Sequence, residues 1–107
     1  MKFRVHVIAD AESDLLDIYR YVACADSPAR ADGLLSQLEE ACLQLESHPH
    51  RGHVPPELER IGILDYREIH VHAYRIIYRT TGRDVYIYCV LDGRRNLQEL
   101  LERRLLR

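Results

Sequence analysis

The 107-residue chain lacks the features that usually cross-link a protein or direct it to a membrane. Its three cysteines are odd in number, far apart and form no C-x-x-C pair: Cys24, Cys42 and Cys89. This pattern favours reduced thiols over a disulfide framework. No apolar signal region follows residues 1–4, and no apolar run is long enough to span a bilayer. We therefore expect a soluble cytoplasmic protein that does not contact a membrane.

The signatures of several enzyme classes are also missing. The sequence contains no G-x-S-x-G, Walker or G-x-G-x-x-G motif, so nothing supports a serine hydrolase or a nucleotide-binding loop. Five of the six histidines fall in two short segments: His48, His50, His53, His70 and His72. No H-E-x-x-H motif is present, and no cysteine or acid completes a recognised zinc-ligand spacing, although His70 and His72 should share a strand face. We expect no metal and no cofactor.

Lysine is scarce as well, because only one of the fifteen basic residues is Lys. Arginine favours flat, bidentate contacts with carboxylates, phosphates and aromatic faces. The charge is unevenly spread: residues 1–47 carry four basic and nine acidic residues, whereas residues 60–107 carry ten arginines and six acids. The second half is therefore either an ordinary Arg-bearing sheet behind a solvated helical hairpin or a surface for an anionic partner.

Alternating Tyr, Ile and Val organise the second half of the chain. The segment 65–95 is broken by Thr81-Gly82-Arg83-Asp84, which predicts antiparallel strands at about 65–71, 74–80 and 85–91. Four apolar residues of the last strand should share one face: Val85, Ile87, Cys89 and Leu91. Tyr86 and Tyr88 should occupy the other face. A strand that is apolar on both faces is typical of the centre of a covered sheet.

The first half should supply that cover. A strand at about 2–8 precedes a helix with Asp10 as N-cap, ending near residue 24; a second helix begins at Ser27-Pro28 and ends near residue 46. Gly33 inside the second helix lowers the stability of that helix by about 1 kcal/mol relative to Ala, unless close packing compensates. An irregular link spans 47–64, and Asn96, with Glu99 three positions on, caps a final helix. Its apolar stripe is Leu97, Leu100, Leu101 and Leu105.

These elements predict one α+β domain over residues 1–107, in the order β-α-α-β-β-β-α, with a small antiparallel sheet on the helical hairpin. The candidate binding residues are five arginines: Arg67, Arg75, Arg79, Arg94 and Arg95. Strand parity puts Arg75 and Arg79 on the face of Ile77, opposite Tyr74, Ile76 and Tyr78. The arginines converge in one exposed cluster if the three strands are sequential neighbours. Otherwise they make weak surface ion pairs with Asp65, Glu68 and Asp92.

The order of several short motifs resembles the ParE/RelE superfamily, the toxins of bacterial type II toxin–antitoxin operons. The first helix carries an A-x-x-D-L-x-x-I-x-x-Y pattern from Ala11 to Tyr21, and P-x-R-G follows at residues 49–52. Y-R-I-I-Y at 74–78, V-L-D-G-R-R at 90–95 and a Leu-rich end complete the similarity over nearly the whole chain. The resemblance implies a small antiparallel sheet packed on a helical hairpin.

The resemblance implies two competing functions. RelE-like members are ribosome-dependent mRNA endonucleases with basic residues and a C-terminal Tyr or His, whereas ParE-like members poison DNA gyrase and have no agreed hydrolytic centre. Arg67, Arg75 and Arg95 match the basic positions of the nuclease branch. Leucine, at position 100 or 101, stands where that branch has its aromatic residue.

Physical chemistry favours the ParE-like branch. RNA cleavage needs a proton carrier, and Arg is a poor one. Glu68, His70 and Tyr74 could serve only if they reach the arginines, and parity places them opposite Arg67. The sequence pI of about 6.3 is also well below the value of about 9 typical of nucleic-acid-binding domains.

We therefore expect a toxin without hydrolytic activity that inhibits growth by poisoning DNA gyrase. The resemblance implies a cognate antitoxin whose C-terminal segment wraps the toxin, with a heterotetramer as one expected assembly. The five arginines and the C-terminal tail would contact the target or the antitoxin. The alternatives are a RelE-like mRNA endonuclease and a non-toxic module that only binds the antitoxin.

Overall fold

The computed structural model describes residues 2–105. It contains four strands, four α-helices and one 3-10 turn: β1 (Arg4–Val7), α1 (Ala9–Ala25), α2 (Pro28–Leu43), the 3-10 turn (Gln44–Glu46), α3 (Pro56–Glu59), β2 (Tyr66–Val71), β3 (Tyr74–Thr81), β4 (Asp84–Asp92) and α4 (Leu97–Leu105). The predicted order is confirmed, and α3 adds one helical turn within the link. No helix in the described part is long and apolar enough to cross a membrane.

The four strands form one sheet in the order β1-β4-β3-β2. Strands β2, β3 and β4 are consecutive antiparallel neighbours, as predicted. Strand β1 pairs in parallel with the first half of β4, so the sheet is mixed. Strand β4 therefore lies in the interior of the sheet, which explains why both of its faces are apolar. The predicted α+β class is confirmed.

Each face of the sheet has its own apolar layer. The helical hairpin covers one face, and the core there includes Leu15, Leu38, Ile76, Tyr78 and Ile87. Helices α3 and α4 cover the opposite face, hereafter the outer face, with a core that includes Leu58, Ile77, Cys89, Leu97 and Leu101. Leu100 joins this second layer, whereas the Leu105 side chain predicted for the same stripe lies outside the described residues.

A β-bulge corrects the predicted face of the last strand. Alternation placed four residues together: Val85, Ile87, Cys89 and Leu91. The structure packs the first two against the hairpin and the last two in the outer layer. The cause is a register shift, because Ile77 pairs with Cys89 but Tyr78 pairs with Ile87, which leaves Tyr88 as an extra residue. After such an extra residue, the side chains that would have pointed to one face of the sheet point to the other.

Backbone groups of β4 near the bulge that have no neighbouring strand form hydrogen bonds with side chains. Strand β1 pairs only with residues 84–87 of β4, so the later part of β4 has no strand on that side. The Asp14 carboxylate of α1 accepts from the Val90 N–H at 2.9 Å, and Arg104 of α4 donates to the Tyr88 carbonyl at 2.9 Å. Arg104 also pairs with Asp14 at 2.6 Å. One largely buried ion pair thus connects the first helix, the last helix and the bulge.

Two of the three predicted helix caps are confirmed. The side-chain oxygens of Ser27 and Asn96 accept from backbone N–H groups three residues on, at 3.1 and 3.0 Å. The predicted Asp10 cap of α1 is wrong, because the helix starts at residue 9 after Ile8, which itself makes no side-chain cap. The N–H of Ile8 still bonds to the Ile87 carbonyl at 3.2 Å, so the chain passes from strand to helix without an intervening turn.

Candidate functional site

A buried ion cluster lies on the outer face of the sheet near the start of β3. Arg75 is 6% exposed and Glu68, on the neighbouring strand, is 1% exposed. Arg75 Nε and Nη2 donate to the two Glu68 carboxylate oxygens at 2.8 and 3.0 Å. Arg75 Nη1 and Nη2 also donate to the two oxygens of Glu57 in α3, at 2.7 and 2.8 Å. The guanidinium is therefore held between two bidentate carboxylates.

Two histidines complete this cluster at its solvent side. His70 Nε2 lies 2.8 Å from Glu68 Oε1, and His53 Nε2 lies 3.7 Å from Glu68 Oε2. The two imidazole rings stack with centroids 5.6 Å apart. His70 faces the Glu68 side chain because residues i and i+2 of a strand share a face. His53 arrives from the link, where its backbone forms an isolated bridge with Glu68.

Gly52 lets the link approach β2 this closely. A Cβ atom at this position would lie 2.5 Å from the Glu68 carbonyl oxygen and 2.9 Å from the Tyr78 hydroxyl. The Gly52 N–H donates to that buried hydroxyl at 3.1 Å. Arg67 Nη1 then donates to the Gly52 carbonyl at 2.8 Å. The P-x-R-G segment therefore packs directly against the sheet, and this contact brings the next residue, His53, to the cluster.

The electrostatics of the cluster are those of a permanent ion pair. Hydrogen bonds to Glu57 raise the pKa of Arg75 above its ordinary value, so this guanidinium stays charged. The hydrogen bond from Arg75 in turn lowers the pKa of Glu57. A cavity of about 320 Å³ opens beside the cluster and is lined also by Arg60. Arg75 itself has no free edge with which to bind a phosphate, because four hydrogen bonds to carboxylates occupy it.

The five candidate arginines do not converge, so the predicted cluster is wrong. Register explains the separation: Arg67 pairs with Tyr78 on the hairpin-facing side, whereas Arg75 pairs with His70 on the outer face. Arg79 shares the outer face with Arg75, as parity predicted, but it lies over the Tyr66 ring, 5.9 Å from its centroid.

The last two candidates lie together just after β4, at the same end of the sheet as Arg75. Arg94 pairs with Asp92, with Nε 3.2 Å from Oδ1, and its side chain is 92% exposed. Arg95 is also exposed. Arg94 and Arg95 both line a cavity of about 390 Å³, together with Tyr21 and Asp17 of α1. Of the five arginines, these two are the most open to a partner.

The placement of the candidate proton carriers is partly as predicted. Glu68 and His70 lie opposite Arg67, as parity requires, but Glu68 contacts Arg75 directly and His70 contacts Glu68. Tyr74 pairs with Val71 and packs on the hairpin side, so its predicted position opposite Arg67 is wrong. Arg75 therefore has a carboxylate in direct contact and an imidazole next to that carboxylate, contrary to the expected absence of a nearby proton carrier.

Two other candidate groups are placed clearly by the structure. His72 occupies the β2–β3 turn with φ of 54°, and its Nε2 lies 2.6 Å from Gln37 Oε1. It therefore does not join His70 in the ion cluster. The three cysteines are free, as expected. Burial raises the pKa of Cys42 to about 11 and that of Cys89 to about 12, which makes both poor nucleophiles.

Sequence reasoning missed Glu57 and His53 as members of the cluster. Both lie in the irregular link, where no periodicity indicates which way a side chain points. A signal was present for the other members, since Glu68 and His70 alternate on a strand that pairs with the strand of Arg75. The Asp14–Arg104 pair left no comparable signal, because its residues lie 90 positions apart.

With this geometry established, the comparisons with known proteins become informative. A family model described as the ParE toxin of the type II toxin–antitoxin system, parDE, matches residues 5–97. The chain belongs to the ParE toxin family. The predicted resemblance to the ParE/RelE superfamily is thereby confirmed, and this ParE-family chain is a toxin component of a type II toxin–antitoxin system.

Solved structures with the same fold come from both branches of the superfamily. The chromosomal ParDE toxin–antitoxin system from P. aeruginosa contains a chain that is 16% identical, with a TM-score of 0.72, over 85% of this ParE-family chain and 96% of that chain. The RelBE2 toxin–antitoxin complex from Mycobacterium tuberculosis contains one that is 20% identical, with a TM-score of 0.63, over 86% and 99%. At these identities the similarity shows the fold alone. A search of curated protein sequences finds no significant match.

Proposed function

We propose that this ParE-family toxin inhibits growth by poisoning DNA gyrase in the cytoplasm and that a cognate antitoxin neutralises it. The match of residues 5–97 to the ParE family carries the proposal. The state of the arginines supports it. A RelE-like nuclease would use three basic positions: Arg67, Arg75 and Arg95. Arg67 and Arg75 lie on opposite faces of the sheet, Arg95 lines a cavity beside α1, and carboxylates accept from Arg75 in four hydrogen bonds.

An antitoxin partner is supported by the relatives and by the surface of the chain. Both solved relatives are described as toxin–antitoxin systems or complexes. Strand β1 lies at an edge of the sheet, and a cavity of about 320 Å³ beside it is lined by Val7 and Leu43, which are 39% and 58% exposed. An edge strand next to an apolar groove suits strand addition combined with helix-in-groove packing by an antitoxin tail. A toxin–antitoxin heterotetramer is the assembly we propose.

Arg94 and Arg95 are the arginines that we assign to contact with the target or the antitoxin, because both are exposed beside a cavity. Arg79 is a further contact candidate at the partly exposed rim of the outer face. Arg67 and Arg75 would act indirectly, by holding the link and α3 in place.

Purified gyrase tests the target directly. Adding the toxin to gyrase and relaxed plasmid should inhibit supercoiling and accumulate linear, cleaved DNA. The Arg94→Ala and Arg95→Ala variants should weaken this effect, whereas Arg20→Ala, an exposed arginine of α1, is the matched control and should not. Unimpaired supercoiling at excess toxin would contradict the gyrase assignment. Unchanged growth when the chain is expressed alone would instead leave the non-toxic, antitoxin-binding module.

One observation favours a second candidate, the RelE-like mRNA endonuclease. Glu68 contacts both Arg75 and His70, so a cation, a carboxylate and an imidazole follow one another, as acid–base cleavage of RNA requires. Against this candidate, Glu68 is 1% exposed and both of its oxygens already accept from Arg75. Cleavage of mRNA in a translating extract, lost in His70→Gln but retained in His72→Gln, would establish the nuclease and overturn the gyrase proposal.

A further inference from the structure

The cluster on the outer face has a property that the toxin function does not use. One ring nitrogen of His53, one ring nitrogen of His70 and one Glu68 carboxylate oxygen all lie within 4.8 Å of one another. The Glu68 side chain is 1% exposed, while the side chains of His53 and His70 are 62% and 54% exposed. One ligand atom is therefore fixed in the protein interior, and two more reach it from the solvent side.

We propose that His53, Glu68 and His70 form a binding site for a divalent transition metal ion such as Zn²⁺. Two imidazole nitrogens and one carboxylate oxygen are a donor set that Zn²⁺ accepts, with the fourth position open to water or to an exogenous ligand. Metal–ligand distances of about 2.0–2.2 Å put neighbouring ligand atoms about 3.3 Å apart in a tetrahedron.

The rearrangement that metal binding requires is small. The 2.8 Å contact between His70 and Glu68 has to open slightly, and the 3.7 Å contact between His53 and Glu68 has to shorten slightly. Both histidines can adjust by side-chain rotation because they are more than half exposed. The ring centroids lie 5.6 Å apart, and the Nε2 atom of each ring already lies near the Glu68 carboxylate.

Arg75 would act as the outer partner of the carboxylate. Its guanidinium donates to both Glu68 oxygens, which uses one lone pair of each. The second lone pair of Oε1 becomes available to the ion when His70 turns from this oxygen to the metal. Such hydrogen bonds to a ligating carboxylate fix its orientation. Arg75 is shared between Glu57 and Glu68, so the three groups together keep a net negative charge for the ion. Arg60, which lines the same cavity, is the cation that the ion would face.

The site would add a metal bridge between two segments that backbone hydrogen bonds and side-chain contacts already join at this point. His53 belongs to the link, whereas Glu68 and His70 belong to β2. A bound metal ion would therefore clamp the link to the edge of the sheet. It should raise the thermal stability of the chain, because the ligands are assembled only in the folded state.

Titration of the purified full-length chain with Zn²⁺ and Co²⁺ tests this site. The Cys24→Ser background removes the exposed thiol as a competing ligand. We expect one ion per chain, a higher melting temperature with Zn²⁺, and a visible Co²⁺ absorption without a thiolate charge-transfer band. His53→Gln and His70→Gln should each weaken binding at least about tenfold. His72→Gln and His48→Gln, which alter exposed histidines outside the cluster, should bind like the parent.

The same titration can overturn the proposal. Saturable binding that persists in the His53→Gln/His70→Gln double variant would place the ion elsewhere. The absence of saturable binding in the parent would leave the cluster as an ion-pair network only. Circular dichroism of each variant separates loss of a ligand from loss of the fold, and the Co²⁺ spectrum of the parent identifies the donor atoms without any variant.

Discussion

Replacing Arg75 with alanine removes the guanidinium that neutralises the Glu68 carboxylate. Glu68 is 1% exposed, so water cannot take over the two hydrogen bonds that Arg75 provides at 2.8 and 3.0 Å. The carboxylate would be left in the protein interior beside the exposed His70, without the bidentate cation. Glu57, whose side chain is 28% exposed, would lose its partner at a lower cost because solvent reaches it.

The expected loss of stability is large for a domain of this size. Breaking a buried ion pair by removing one partner costs about 3–5 kcal/mol, because an uncompensated charge remains inside the protein. Domains are typically stable by about 5–15 kcal/mol, so this loss is a large part of the total. At about 4–8 °C for each kcal/mol, the melting temperature should fall by at least about 12 °C.

Urea unfolding followed by far-ultraviolet circular dichroism measures this loss. In the Arg75→Met/Glu68→Met double variant, apolar side chains replace both charges, so its stability should lie within about 1 kcal/mol of the parent or above it. Arg94→Ala is the matched control, because that side chain is 92% exposed and should change stability by at most about 0.5 kcal/mol. A loss below about 1 kcal/mol in Arg75→Ala would refute the buried-charge argument. If the stable double variant is as toxic as the parent, Arg75 does not contact the target.

Three further substitutions test other features of the fold. Gly33→Ala should raise the free energy of unfolding by about 0.5–1 kcal/mol, because its Cβ would meet no atom within 4 Å; an unchanged urea midpoint would contradict this. Gly52→Ala should lower the free energy of unfolding by about 1–3 kcal/mol, since the new Cβ would lie 2.5 Å from the Glu68 carbonyl oxygen. An unaffected melting temperature would show that the link moves freely. The hydrogen bond from Arg75 lowers the pKa of Glu57, so this carboxylate stabilises the fold above its unfolded-state pKa and loses that effect as the pH falls through its folded-state pKa. Urea unfolding of Glu57→Gln should therefore be less sensitive to acid below about pH 5 than that of the parent, and equal slopes would contradict the assignment.

The order of elements could be predicted because its signals are local. Caps such as Ser27 and Asn96, apolar spacing along the helices and Tyr-Ile-Val alternation each act over a few residues, and the structure places all of these elements as expected. The position of β4 in the interior of the sheet also followed from its composition, since a strand that is apolar on both faces has to be covered on both.

The site could not be predicted in the same way because it depends on register and on the link. Whether Arg67 and Arg75 share a face is decided by which residues pair across β2 and β3, and parity within one strand does not contain that information. The bulge at Tyr88 reverses the faces of β4 without any glycine or proline to mark it. The position of His53 depends on the close approach of Gly52 to β2, which is a tertiary contact.

The parallel pairing of β1 with β4 also governs when the protein can finish folding. Arg4 and Asp84, which form a hydrogen-bonded pair across these strands, lie 80 positions apart in the chain. During synthesis at about 5–20 residues per second, the first strand has to wait several seconds for its neighbour. The helical hairpin can form early, but it has no complete sheet to cover until the fourth strand has left the ribosome. A newly made toxin molecule thus passes a short interval as an incomplete fold, in which an antitoxin already present can reach it first.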